Sequence, residues 1–197
     1  MSARNRRLFL AGDLPDTWLA ELRQAGQLLQ AADPDARITK PGNEHLTWVF
    51  LGELEEAQVQ AVLEAVDAVF RESTAQGRRP QALSFDFARW TAQQRRGGLA
   101  LVRADLQVNS AHADAVKTLT EVITQTGVTL PRRSWLPHVT LARDVRWSER
   151  RLQASRDLPR LGSGHLESVT LYESLFTARG MVYEGLLSWP GAPQEGR

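Results

Sequence analysis

The apolar positions of this chain switch repeatedly between a period of two, which marks strands, and a period near 3.6, which marks helices. Arg7-Leu8-Phe9-Leu10-Ala11-Gly12 reads as a short strand, and Pro15 with Asp16 opens a helix to about Ala31 that Asp33-Pro34 stops. Pro41-Gly42-Asn43 predicts a turn, followed by a strand from His45 to Leu51 that ends at Gly52. From Glu55 to about Arg71, Val59, Val62, Leu63, Val66, Val69 and Phe70 recur at helical spacing, so that helix carries a core stripe. An arginine-rich loop leads to a strand alternating through Leu83, Phe85 and Phe87, then to a strand from Leu99 to Ala104 behind Gly97-Gly98. Ser110 is placed to cap a third helix to about Thr126, and a strand runs from His138 to about Arg143. Two last strands, near 169–176 and 181–189, predict a hairpin, with 191–197 as a flexible tail.

The elements repeat as a unit. Leu8 to Leu14 is echoed by Leu101 to Leu106, each a short strand ending in Asp-Leu and leading into a helix. His45 then follows Leu14 by 31 residues, and His138 follows Leu106 by 32. The order strand, helix, histidine strand thus occurs at about 7–51 and again at about 99–143. Two such lobes related by an approximate twofold would bring equivalent strands together across a groove. The expectation is an α+β fold, a single bilobal domain over 1–190 with antiparallel sheets lining the groove and helices outside.

The histidine strands carry a doubled motif, His45-Leu46-Thr47-Trp48 and His138-Val139-Thr140-Leu141, which uses two of only four histidines in the chain. Alternation on a strand puts His45 beside Thr47 and His138 beside Thr140. Imidazole exchanges a proton near neutrality, so a facing pair supplies one acid and one base. Cleavage of a phosphodiester needs both, on opposite sides of phosphorus, while threonine hydroxyls can donate to the non-bridging oxygens. The neutral threonines are poor metal ligands, and neither motif holds a carboxylate or second histidine at helical ligand spacing, so no metal is expected.

Composition narrows the partners. Without cysteine, disulfides, thiolate catalysis and cysteine-ligated metal centres are excluded. The apolar run after Arg4, Arg6 and Arg7 stops at Asp13, too short for a secretory core, and no stretch is apolar enough to span a bilayer. A cytoplasmic chain beginning at or near Met1 is expected. A net charge of +1 argues against wrapping duplex nucleic acid by counterion release. The arginine pairs 78–79, 95–96, 132–133 and 150–151 offer at most an accessory surface for RNA backbone.

These motifs and their flanks resemble the 2H phosphoesterase superfamily, and more narrowly the bacterial RNA 2',3'-cyclic phosphodiesterases, also called 2'-5' RNA ligases. The resemblance runs from Arg7-Leu8-Phe9-Leu10 through Asn43 to Gly52 and Pro137 to Arg143 to Thr170-Leu171-Tyr172. It implies the bilobal 2H fold, and cofactor-free, metal-independent hydrolysis of 2',3'-cyclic phosphate RNA ends to a 2'-phosphate. It also implies, as alternatives, 2'-5' joining of RNA as the physiological role or action on small cyclic nucleotides. By this resemblance His45 is the proton donor, His138 the proton acceptor, and Thr47, Thr140 and Arg143 bind the phosphate. Strict alternation from His138 turns Arg143 to the other face, so its role requires the strand to bend or end. The chain departs from the family pattern at Trp48 and at Asn43-Glu44, which touch no polar catalytic position. Since one chain supplies both histidines, a monomer is expected.

Other residues read as structural. His112, near a helix start, is expected to be solvated, and His165, after Gly162-Ser163-Gly164, to lie in a flexible turn. Trp90, Trp135 and Trp147 lie near predicted loops, where core packing competes with stacking on a base.

Overall fold

The computed structural model of the protein describes residues 5–75, 83–132, 134–146, 158–178 and 180–190, with the side chains of 73–75 set aside. Trp147, the tail at 191–197, Arg133 and the arginine pairs 78–79 and 150–151 lie outside the described residues.

The strands are β1 (Arg6–Asp13), β2 (Arg37–Ile38), β3 (Leu46–Leu54), β4 (Ser84–Gln94), β5 (Leu99–Val108), β6 (His138–Arg146), β7 (Ser163–His165), β8 (Ser168–Thr177) and β9 (Gly180–Pro190); the helices are α1 (Asp16–Ala32), α2 (Glu56–Ala75) and α3 (Ser110–Gln125). All strands join one sheet in the order β7-β4-β5-β6-β3-β1-β8-β9, with β2 added on β6. The expected α+β lobes are its halves, β3-β1-β8-β9 and β7-β4-β5-β6. Their seam is a single antiparallel pair, Leu46 with Val139, both 0% exposed.

The helices interlock the halves. α1, from the first lobe, packs on β6, and α3, from the second, packs on β3, so each helix covers the other lobe's histidine strand. The helical stripes predict this burial: Trp18, Leu22, Ala25, Gly26 and Leu29 on α1, and Val116, Leu119 and Ile123 on α3. One continuous core results, and neither histidine strand can shift without disturbing the opposite lobe's helix.

Close approach has a sequence cost at Gly12, where a Cβ would lie 2.1 Å from Leu166 Cδ1, itself 1% exposed. Gly12→Ala is expected to destabilise the fold by about 1–3 kcal/mol through overpacking. A urea midpoint equal to that of the wild type would contradict this contact.

The structure differs from the sequence reading in several places. Asn109, not Ser110, occupies the cap position of α3, and β2 (Arg37–Ile38) was not foreseen. Gly52 does not end β3; it sits inside the strand at φ +83°, where the register against β1 slips, a conformation glycine adopts without strain. The Gly-Ser-Gly stretch is not a loose turn, because Ser163–His165 forms a short strand on the edge of β4. His112 is not solvated but 0% exposed, packed edge-on to Trp48 at 5.7 Å and stacked with Trp135 at 6.3 Å. It occupies the buried face of α3, where position three of the helix meets β3 rather than solvent.

Candidate active site

Leu46 and Val139 point into the core at the seam, so their neighbours point the other way, into the groove. Continuing the antiparallel register one residue to either side sets His45 opposite Thr140 and Thr47 opposite His138. The motifs therefore face one another with histidine across from threonine. Cavities follow the same crossing: His45 and Thr140 line one of about 310 Å³, and Thr47 with His138 lines another of about 350 Å³.

Both imidazoles are held alike. His45 Nδ1 donates to the Asn43 carbonyl at 2.8 Å, and His138 Nδ1 donates to the Leu136 carbonyl at 2.7 Å. A carbonyl only accepts, so each Nδ1 carries hydrogen and each neutral ring presents Nε2 as a proton acceptor. Thr47 Oγ1 lies 2.9 Å from His45 Nε2 and donates to it. Trp135 Nε1 donates to the Thr47 carbonyl at 2.9 Å, fastening the segment before His138 to the opposite motif. Trp90 likewise donates to a backbone carbonyl, that of Pro159, at 2.9 Å. Both indoles are spent on structure.

A bulge brings Arg143 to the groove. The register of β6 on β5 passes from Thr140 opposite Arg103 to Ala142 opposite Val102, which inserts Leu141 as an extra residue. Leu141 and Ala142 are both buried, the alternation resets, and Arg143 emerges beside His45 and Thr140. β3 repeats the device: Trp48 is the extra residue against β1, Trp48 and Val49 are both buried, and Phe50 emerges five residues after His45. The groove is thus symmetric in backbone and asymmetric in chemistry. Arg143, with Arg37 and Lys40, gives the His45 cavity a cationic wall, whereas in the His138 cavity Arg103 lies among the apolar Phe50, Trp135 and Leu136.

The surroundings oppose charge on both rings. Burial lowers His45 to about 4; the Asn43 carbonyl opposes this, Arg143 adds to it, Asp13 opposes it and His138 adds to it. Burial also lowers His138, with the Leu136 carbonyl opposing, Arg103 lowering, Asp105 raising and Arg143 lowering. A phosphodiester anion would reverse this balance, since negative charge between the rings favours imidazolium.

Three polar residues near the histidines escaped the sequence reading. Arg103, 14% exposed at its side chain, sits across from Thr140 and pairs with Asp105 at 2.8 Å; the first lobe has Ala11 at the equivalent place across from Thr47. Asp13 ends β1, whereas Asp105 lies inside β5, which runs on to Val108; the Asp-Leu echo was visible as repetition but not as chemistry. An aromatic wall completes the first lobe, with Phe9 4.9 Å and Tyr183 5.2 Å from the His45 ring centre. Tyr183 had no motif to mark it. Among the described residues, no group of three or more histidines and carboxylates is arranged to hold a metal ion. No described helix is long and apolar enough to cross a membrane.

No protein-family model and no curated protein matches the sequence. Among solved structures the chain is similar to a phosphoesterase, with 25% identity, a TM-score of 0.68 and coverage of 96% of this chain and 100% of that one. It is similar to Escherichia coli LigT complexed with 3'-AMP, with 25% identity, a TM-score of 0.63 and coverage of 97% and 100%. It shares the fold of the Thermus thermophilus protein TT0787 at 20% identity, with a TM-score of 0.71 and coverage of 96% and 100%. Over its whole length the fold is that of the 2H phosphoesterases. The phosphoesterase neighbours support a hydrolase or phosphoryl-transfer enzyme.

Proposed function

We propose that the protein is an RNA 2',3'-cyclic 3'-phosphodiesterase, hydrolysing 2',3'-cyclic phosphate ends to 2'-phosphates without a metal. The observation that carries this is the crossed register: each histidine lies opposite the other strand's threonine, and each Nδ1 donates to a backbone carbonyl, which leaves Nε2 as the proton-accepting nitrogen. In the proposed reaction His138 Nε2 takes a proton from water as its oxygen bonds to phosphorus. His45, protonated, gives its Nε2 proton to the 3'-oxygen as the P–O3' bond breaks. Water's hydroxyl stays on phosphorus, the 3'-hydroxyl is freed, and solvent restores the starting protonation. Thr47, Thr140 and Arg143 hold the non-bridging oxygens, where hydrogen-bond donors count most as charge redistributes.

Asymmetry between the cavities supports this direction. In-line displacement puts the leaving ribose on the acid's side, and that side carries Arg37, Lys40, Arg143 and Tyr183, suited to a nucleotide's phosphates and base. LigT, by comparison, has been crystallised with 3'-AMP. A second reading, 2'-5' joining, is favoured by the cavity beside His138, which has room for a 5'-hydroxyl end in place of water. A relative acting on small cyclic nucleotides is a third. As a partner we propose the cyclic-phosphate 3' end of RNA in the cytoplasm, bound by a monomer.

The test uses chelator-treated protein with an RNA oligonucleotide bearing a 2',3'-cyclic end and, separately, the free cyclic mononucleotide, followed by phosphorus NMR. The expected product is a 2'-phosphate from the oligonucleotide. A 3'-phosphate, or no turnover of either compound, overturns the reading; turnover of the mononucleotide alone transfers it to small cyclic nucleotides, and loss of activity with chelator restores a metal.

A further inference from the structure

One carboxylate beside the histidine groove has no part in the chemistry above. Glu44 precedes His45, and its side chain is only 5% exposed. A buried carboxylate needs donors around it to offset its lost hydration. Among the described residues, Oε2 accepts from the Gly42 N–H at 2.7 Å, while Oε1 has Arg23 Nε at 4.0 Å, too long for a hydrogen bond, with Arg23 half exposed. One oxygen is thus engaged in a turn, and the other keeps its capacity to accept. Glu44 also lies where the chain departs from the family pattern, at Asn43-Glu44.

Glu44 lines a cavity of about 280 Å³ between α1 and the paired strands β2 and β6. Leu22, Pro41 and Leu141 share that lining with Arg23, Gln27 and Gln30, and Glu44 is the acidic group among them. Ile38, Thr39 and Thr140 line both this cavity and the one that contains His45, so the two are neighbours. Apolar walls suit the faces of a nucleic-acid base, and a carboxylate suits an edge that donates. Guanine is the base whose pairing edge carries two adjacent donors, N1–H and the N2 amino group, which one carboxylate accepts together. Adenine and cytosine set a ring acceptor beside their amino group, and uracil sets its N–H between two carbonyls.

In the proposed reaction the body of the RNA lies 5' of the leaving ribose, on the His45 side. The terminal nucleoside occupies the His45 cavity, and the base before it meets the neighbouring one. We propose that this second cavity takes guanine as the penultimate base of the RNA end, with Glu44 as the specificity-determining residue that accepts its N1–H and N2–H. This rests on the RNA-end reading given under the proposed function, and deepens it by naming the end sequence the site prefers. It also gives the protein a reason to favour an oligonucleotide over a free cyclic mononucleotide, which fills the first cavity alone.

The test uses dinucleotides with guanine, hypoxanthine or adenine as the first base and an adenosine 2',3'-cyclic phosphate as the second, alongside the free cyclic mononucleotide. The wild type is expected to turn over the guanine dinucleotide with a kcat/KM roughly 10- to 100-fold above that of the adenine one, the usual worth of a bidentate pair between side chain and base. Hypoxanthine, which lacks the N2 amino group, falls between them. Glu44→Gln keeps an amide oxygen for the Gly42 N–H, and so keeps the turn that presents the Asn43 carbonyl to His45. It replaces one acceptor by a donor, and is expected to abolish the guanine preference and raise adenine relative to guanine, while turnover of the mononucleotide stays as in the wild type. A purely structural role would lower every substrate by the same factor. The base series on the wild type needs no variant, so it decides the matter even if Glu44→Gln fails to fold.

Binding is read separately, by calorimetry with the same dinucleotides ending in a 2'-phosphate, the product of the proposed hydrolysis. Guanine selectivity in binding by a protein that turns over none of the cyclic ends would sink the proposed function and leave this assignment standing; turnover without base selectivity does the reverse. The inference is also overturned if the guanine preference belongs to the terminal base, or if Glu44→Gln lowers turnover of the mononucleotide as much as that of the guanine dinucleotide.

Discussion

His45→Ala and His138→Ala are each expected to lower kcat on 2',3'-cyclic-ended RNA by roughly 10²- to 10⁴-fold, the usual worth of one positioned acid or base. That loss corresponds to roughly 3–5 kcal/mol of transition-state stabilisation. The double variant should lose little more than the worse single one, because an acid without its base no longer works as a unit. KM should change far less than kcat, since Thr47, Thr140 and Arg143 would still grip the phosphate. The folded state should survive, as neither histidine belongs to the fully buried core. Single-turnover rates with circular dichroism of the variants check both halves. Retention of more than a tenth of wild-type kcat by either variant would remove that histidine from the chemistry.

Binding of a phosphodiester is expected to draw a proton into the protein near pH 7. The sign follows from burial and charge. The protein's own groups lower His45 to about 4 and also lower His138, so around neutrality the free enzyme carries little charge on either ring. The reaction needs one proton on the pair. An anion between the rings raises both affinities, and the bound complex takes up a proton from solvent. Calorimetry in two buffers of different ionisation enthalpy should return an uptake between zero and one.

The same argument shapes the rate profile. kcat/KM, which reports the free enzyme, should decline about tenfold per pH unit above the higher apparent constant of the pair. The profile of kcat, which reports the complex, should hold to higher pH. Equal binding enthalpies in both buffers, or alkaline limbs that coincide, would contradict the placement of the anion between the histidines.

Most of the elements were legible in the chain, because helices and strands write their periods locally. The stripe on α2 and the run from Leu8 to Ala11 identify their elements unaided. The boundaries moved where glycine was read as punctuation: Gly52 lies within a bulged strand, and Gly164 in a strand where a Cβ would meet Phe85 at 2.6 Å. Glycine there serves close approach and unusual φ, not chain termination. His112 was misplaced for a related reason. A histidine flanked by alanines near a helix start carries no sign of burial, and only the packing of α3 against Trp48 and Trp135 assigns it to the interior.

Sequence by itself determined the doubled His-x-Thr motif, the sharing of one strand face by His45 and Thr47 and by His138 and Thr140, and the repeat of strand, helix and strand. These are properties of neighbouring residues, and a two-residue period suffices to express them. Tertiary structure alone decided that β3 pairs with β6 at Leu46 and Val139, that a bulge turns Arg143 into the groove, and that Arg103 stands where the other lobe has Ala11. Each of these depends on register between strands far apart in the chain. Register is selected by which side chains fill the shared core, and no local pattern records that selection.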